Sequence, residues 1–64
     1  DFVQAGDLYR LMSEDEKERL IDNLAGFIAK VSRDDIAERA IDNFRQADSD
    51  FGKRLQAAVQ ALRG

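Results

Sequence analysis

Gly6–Ile28 reads GDLYRLMSEDEKERLIDNLAGFI, two apolar runs separated by a Ser with a Glu three places later. Ser13 predicts a helix N-cap, and Glu16 completes a capping box in which each side chain satisfies an orphan backbone amide of the other residue. Glu14, Asp15 and Glu16 place negative charge where the helix dipole is positive. Beyond this junction Leu20, Ile21, Leu24, Ala25, Ile28 and Val31 recur at helical spacing, with Phe27 at the margin and Glu18 and Asp22 pointing away. Ahead of it Ala5, Leu8, Leu11 and Met12 predict a short first helix. One junction therefore specifies two helices. Gly26 sits inside the second at a cost of about 1 kcal/mol relative to Ala. Close packing against another helix is the favoured reason, ahead of a ligand contact.

The same device recurs further along. Ser32 offers a cap, with Asp34 and Asp35 in the first turn and an Asp35–Arg39 pair expected at i, i+4. Ile36, Ala40 and Phe44 lie one turn apart, flanked by Ala37, Ile41 and Ala47, and this helix is expected to end near Gln46. Asp48 is the next cap, followed by the stripe Phe51, Leu55, Ala58, Val59 and Leu62. Asp50 and Arg54 form another i, i+4 pair, Arg63 suits the negative end of the dipole, and Gly64 reads as a stop. No Pro interrupts the pattern, and no window has the alternation of a strand. The expectation is an all-α fold of four helices, the first short, as a single domain over residues 1–64, with neighbours antiparallel or angled.

Composition narrows the function. A chain of 64 residues buries only about 60% of its unfolded surface. Without Cys or His it has neither a disulfide nor a zinc site to staple that core. The net charge of −3, with basic residues interleaved among acids, argues against a duplex nucleic-acid binder. Apolar stretches fall far short of the roughly 20 residues of a membrane span. The acidic start lacks the pattern of a secretory signal, so a soluble, cytoplasmic protein is expected. The first residue is not Met, which points to a piece of a longer protein.

Little chemistry is available. The usual general base, metal ligand and strongest nucleophile are missing with His and Cys. Glu14, Asp15, Glu16 and Glu18 read as a solvated, dipole-matched face rather than a calcium loop, as do Asp34 and Asp35. Tyr9 reads as a half-buried anchor. Phe2, Phe27, Phe44 and Phe51 read as core or docking aromatics, and Ser13, Ser32 and Ser49 as caps or turn residues. No residue is expected to be catalytic or to bind a metal. Gln4, Leu8 and Met12, at i, i+4 and i+8, could floor a groove for a flat ligand. Spacing alone favours an ordinary core stripe with an amphipathic end.

The stretches QAGDLYRLMSEDEKERLIDNLAGFI, DIAERAIDNFRQAD and DFGKRL closely resemble, in order and spacing, the C-terminal helical segment of monofunctional haem catalases, across nearly the whole chain. This sequence has Ala5 and Ser49 where that family commonly has Pro, Phe27 where it often has His, and Phe51 where Tyr is usual. Ser32 likewise replaces a frequent Pro. The resemblance implies a parent enzyme that disproportionates hydrogen peroxide on haem b. The distal His and Asn and the proximal Tyr ligand lie in a preceding β-barrel, so Tyr9 is not that ligand and this segment by itself holds no cofactor. It further implies packing on the barrel's outside within a homotetramer, and contact with neighbouring subunits. In some catalases a Gln and two apolar residues on successive turns wall an NADPH cleft. Those positions fall on Gln4, Leu8 and Met12, of which Gln4 matches in identity while Leu8 replaces an aromatic and Met12 a β-branched residue. The competing reading is a free-standing helical interaction module. A detached catalase segment should self-associate, whereas an independent module should be a cooperative monomer.

Overall fold

The computed structural model describes residues 2–31 and 33–64, with side chains described for 4–30 and 33–64. Four helices follow in order: α1 (Phe2–Leu11), α2 (Glu14–Val31), α3 (Asp34–Ala47) and α4 (Ser49–Arg63). Helix α4 packs on both α2 and α3, and α1 packs on α3. Contacts from Arg54 to Glu14 and from Arg63 to the Ile28 carbonyl make α2 and α4 run the same way. Contacts from Arg63 to Asp34 and from Arg45 to Gln56 make α3 and α4 antiparallel.

The capping box at the start of α2 forms as its residues require. The Ser13 amide donates to Glu16 Oε1 at 2.9 Å and the Glu16 amide donates to Ser13 Oγ at 3.2 Å. The same bonds hold the Glu16 carboxyl below its usual range. Ser13→Ala should lower stability by about 1 kcal/mol, measurable as a shift in the thermal midpoint. The expected Ser32 cap lies outside the described residues. The residue at the N-cap position of α3 is Arg33, whose side chain makes no capping bond. Asp35 lies 3.4 Å from Arg33 and does not form the expected pair with Arg39.

A single residue connects α3 and α4. Asp48, in extended backbone, donates its amide to the Phe44 carbonyl at 2.9 Å and accepts the Phe51 amide on its carboxylate at 3.0 Å. It thus closes one helix and opens the next, as its cap role predicts. Gly64 ends α4 in the left-handed region, with its amide on the Gln60 carbonyl, a C-terminal cap that glycine reaches at least cost.

The core is Tyr9, Ile21, Ala25, Ile28, Ala37, Ile41, Phe51, Leu55 and Val59. Several faces differ from the periodic expectation. In α1 the ring of Tyr9 is fully buried, beyond the half-buried anchor expected, while Leu8 is 54% and Leu11 84% exposed. In α3 the buried pair is Ala37 and Ile41, and Ile36 stands out in solvent. Leu62 continues the α4 stripe in sequence but is also exposed. Each apolar stripe was broad enough to face two ways, and aromatic contacts chose between them. Phe44 and Tyr9 both pack on Phe51, with ring centroids 4.8 and 4.4 Å away. The helix faces are rotated so that these rings meet.

Gly26 is a further correction. A Cβ placed there would meet nothing within 4 Å, so among the described residues no helix packs closely on it. The close approaches are at Gly6 and Gly52. A Cβ on Gly6 would lie 2.6 Å from the Ala47 carbonyl oxygen, and one on Gly52 would lie 2.4 Å from Arg45 Cα. Both crowd the end of α3 beside the Asp48 elbow.

Candidate functional site

The chemistry-bearing side chains gather where α1 meets the α3–α4 elbow. Tyr9 stacks on Phe51 with an interplanar angle of 10°, and Lys17 Nζ lies 4.9 Å from the centre of the Tyr9 ring. The Tyr9 hydroxyl donates to Asp50 Oδ2 at 2.6 Å and accepts from Arg54 Nη1 at 3.3 Å. Arg54 also reaches Glu14 at 3.2 Å and Asp50 at 3.6 Å, the second being the pair expected from spacing. Beside this network Arg10 Nη1 donates to Asp48 Oδ2 at 2.9 Å and to the Ala47 carbonyl at 3.2 Å. Its Nη2 also contacts Asp7. Glycine at position 6 admits α1 to this site; Tyr9 and Arg10 then anchor it.

Burial and the Asp50 hydrogen bond push the Tyr9 phenol up to about 12. Its folded value is raised, so its contribution to stability is complete below the ordinary phenol value near 10 and is lost as pH rises toward 12. The chain holds one Tyr and no Trp. Tyrosinate absorbance of the 64-residue chain should therefore titrate above pH 11, together with unfolding. Titration near pH 10 with the helices intact would contradict the buried hydroxyl.

The Asp48 carboxyl moves the other way. The Phe51 amide, and then Arg10, hold it below its usual range. A depressed folded value means the stabilisation is present above the ordinary carboxylate range, near pH 4, and is lost as pH falls through the lower folded value. Asn is an equally good N-cap. Asp48→Asn should keep the helix content and flatten this part of the acid unfolding profile, as followed by circular dichroism.

The outer side of α1 is different in kind. Successive residues turn by about 100°, which sets Gln4, Leu8 and Leu11 on the face opposite Gly6 and Tyr9. Gln4 and Leu8 are exposed, one turn apart. Met12 is half-buried and falls just past the end of the helix, its amide donating to the Tyr9 carbonyl at 3.1 Å. Leu8 is thus not the core residue that spacing favoured, and Leu11 extends the exposed surface. The signal for this rotation was Gly6 three residues before the only Tyr.

Other candidates separate from this site. Among the described residues no group of three His, Cys, Asp or Glu side chains is placed to hold a metal ion. Tyr9 does not fit an iron ligand, because its ring is buried between helices and its hydroxyl is held by Asp50 and Arg54. An open groove of about 330 Å³ between α3 and α4 has Ala37, Ile41 and Val59 among its lining residues, with Glu38, Gln60 and Arg63. None of Gln4, Leu8 or Met12 lines it. No described helix is long and apolar enough to cross a membrane.

Comparison with known proteins agrees with the sequence resemblance. The chain is 89% identical over all 64 residues to a bromoperoxidase-catalase of Streptomyces venezuelae, covering 13% of that protein. It is 60% identical over 62 residues to a catalase of Streptomyces coelicolor, covering 97% of this chain and 13% of that enzyme. It is 56% identical over 55 residues to catalase-A of Dictyostelium discoideum, covering 86% of this chain and 11% of that enzyme. The chain therefore spans about one-eighth of the length of the curated relatives it matches, and the match lies in the C-terminal region of catalases. No solved structure matches it. Residues 1–59 match the family described as Catalase-related immune-responsive, and the chain belongs to that family.

Proposed function

We propose that this chain is a helical buttress of a haem catalase, packed against the β-barrel and the neighbouring subunits of a cytoplasmic homotetramer that disproportionates hydrogen peroxide. The haem belongs to the rest of that enzyme. The observation that carries this reading is the outward turn of Leu8 and Leu11, 54% and 84% exposed, on a helix anchored firmly by its other face. Such a surface calls for a partner.

A dinucleotide is the ligand this face fits. NADPH, when bound, supplies reducing equivalents as hydride. Gln4 provides an amide for its polar groups, and Leu8 and Met12 provide apolar area for its flat rings. Arg10 and Tyr9 do not touch the ligand in this reading; they hold α1 so that the other three residues face it.

The test uses the full-length enzyme. Leu8→Glu should weaken NADPH retention at least tenfold, read by nicotinamide fluorescence, with the Soret spectrum and peroxide turnover retained. A wild-type enzyme with no affinity for NADPH would sink the dinucleotide part. For the buttress role, the isolated 64-residue chain should self-associate through its exposed Leu8, Leu11, Phe27, Ile36 and Leu62 in sedimentation equilibrium. A sharply two-state monomer would favour an independent module instead.

A further inference from the structure

Of the three residues in the proposed dinucleotide wall, only two ride on the same helix. Gln4 and Leu8 belong to α1, whereas Met12 stands on the short link between Leu11 and Glu14. Holding α1 in place does not by itself place Met12. That residue also follows the start of α2, because its neighbour Ser13 is fixed by the capping box with Glu16. The angle between α1 and α2 therefore sets where Met12 stands relative to Leu8. Helix packing specifies that angle only loosely, since among the described residues α1 packs chiefly on α3 and α2 on α4.

Side chains span the gap instead. Arg54 of α4 holds both sides of the link with one atom. Its Nη1 lies 3.3 Å from the Tyr9 hydroxyl, before Met12, and 3.2 Å from Glu14 Oε2, after it. Asp50 lies 3.6 Å from the same nitrogen and also accepts the Tyr9 hydroxyl. Lys17 of α2 adds a second span, with Nζ 4.9 Å from the centre of the Tyr9 ring and 3.7 Å from Glu14. An exposed ion pair contributes little alone. Arg54, however, is half-buried and donates to a hydroxyl that Asp50 already orients, so its contacts form one connected network.

We infer that Arg54 is a positioning residue of the dinucleotide wall: by holding Tyr9 and Glu14 from α4, it sets where Met12 stands relative to Leu8. Arg54 touches no ligand and acts only through the link. The inference rests on the dinucleotide reading above and adds to that site a residue from the far end of the chain.

The test compares Arg54→Met and Arg54→Lys in the full-length enzyme. Methionine keeps an unbranched stem and removes the donors. Lysine restores a cation with three donors, enough for contacts that all converge on one nitrogen. Arg54→Met should raise the NADPH dissociation constant about tenfold, the scale of one lost charge-assisted hydrogen bond. The Met12 amide, which donates to the Tyr9 carbonyl, should exchange with deuterium about fivefold faster or more, while the amides of α3 keep their rates. Arg54→Lys should return both readouts most of the way to wild type. Weaker NADPH binding with unchanged exchange at Met12 overturns the inference, because the effect then does not run through the link. Faster exchange throughout α3 also overturns it, since Arg54 would then be a general stabiliser, and so does a lysine variant as impaired as the methionine one. A wild-type enzyme with no affinity for NADPH sinks the dinucleotide reading instead, and the exchange rates then decide alone whether Arg54 places Met12.

Discussion

Phe51→Ala should lower the thermal midpoint of the isolated 64-residue chain by more than about 10 °C. Phe51 is 1% exposed, stacks on Tyr9 and supports Phe44, so it joins α1, α3 and α4 in one contact. Truncating a buried Phe costs about 3–5 kcal/mol. A domain of this size has a total stability of roughly 3–10 kcal/mol, so the loss takes about 30% of it or more. Neighbouring rings cannot close the cavity, because Tyr9 is tied by its hydroxyl to Asp50 and Arg54. A circular dichroism melt checks this. A midpoint lowered by less than about 5 °C would show that the aromatic cluster is not what holds the helices together.

Gly52→Ala should be the most damaging single-methyl addition. Ala is the better helix former by about 1 kcal/mol, so a site in open space would gain stability. Here the new Cβ would lie 2.4 Å from both Cα and Cβ of Arg45 and 2.7 Å from its amide nitrogen. A flexible side-chain tip could move aside, but these atoms belong to the α3 backbone and its first side-chain carbon. Helices α3 and α4 must separate at the Asp48 elbow, which also carries Arg10 and the base of the Tyr9–Phe51 stack. A net loss of about 2–3 kcal/mol is expected from overpacking, read as a lower urea midpoint with an unchanged slope. A stabilised variant would mean that the two helices cross less closely than described.

Two helical glycines of this chain have opposite surroundings, Gly52 lying against α3 and Gly26 meeting nothing within 4 Å. Nothing local to Gly26, Gly52 or their neighbours distinguishes them in sequence, since both sit inside strongly periodic helices. What separates them is which helix lies opposite, a contact between residues distant along the chain. The exposed Leu8 illustrates the same limit. Its i, i+4 spacing to Met12 is compatible with a core stripe or with an outer face, and Tyr9 decided between them by finding Phe51 across 42 positions of sequence. The candidate dinucleotide wall was therefore legible as three residues but not as a surface.

Local chemistry settled a good deal without tertiary information. The Ser13–Glu16 box, the Asp48 cap, the Gly64 stop and the Asp50–Arg54 pair involve groups at most four residues apart, whose meeting needs only helical geometry. These gave four helices and their breaks, and the ordered motifs gave the catalase family. The side of each helix that turns inward needed the folded chain. Broad apolar stripes leave that choice nearly degenerate in one helix, and the contacts among Tyr9, Phe44 and Phe51, with the backbone approaches at Gly6 and Gly52, removed the degeneracy. The outward turn of Leu8 and Leu11 on α1 and of Phe27 on α2 follows from those few long-range contacts.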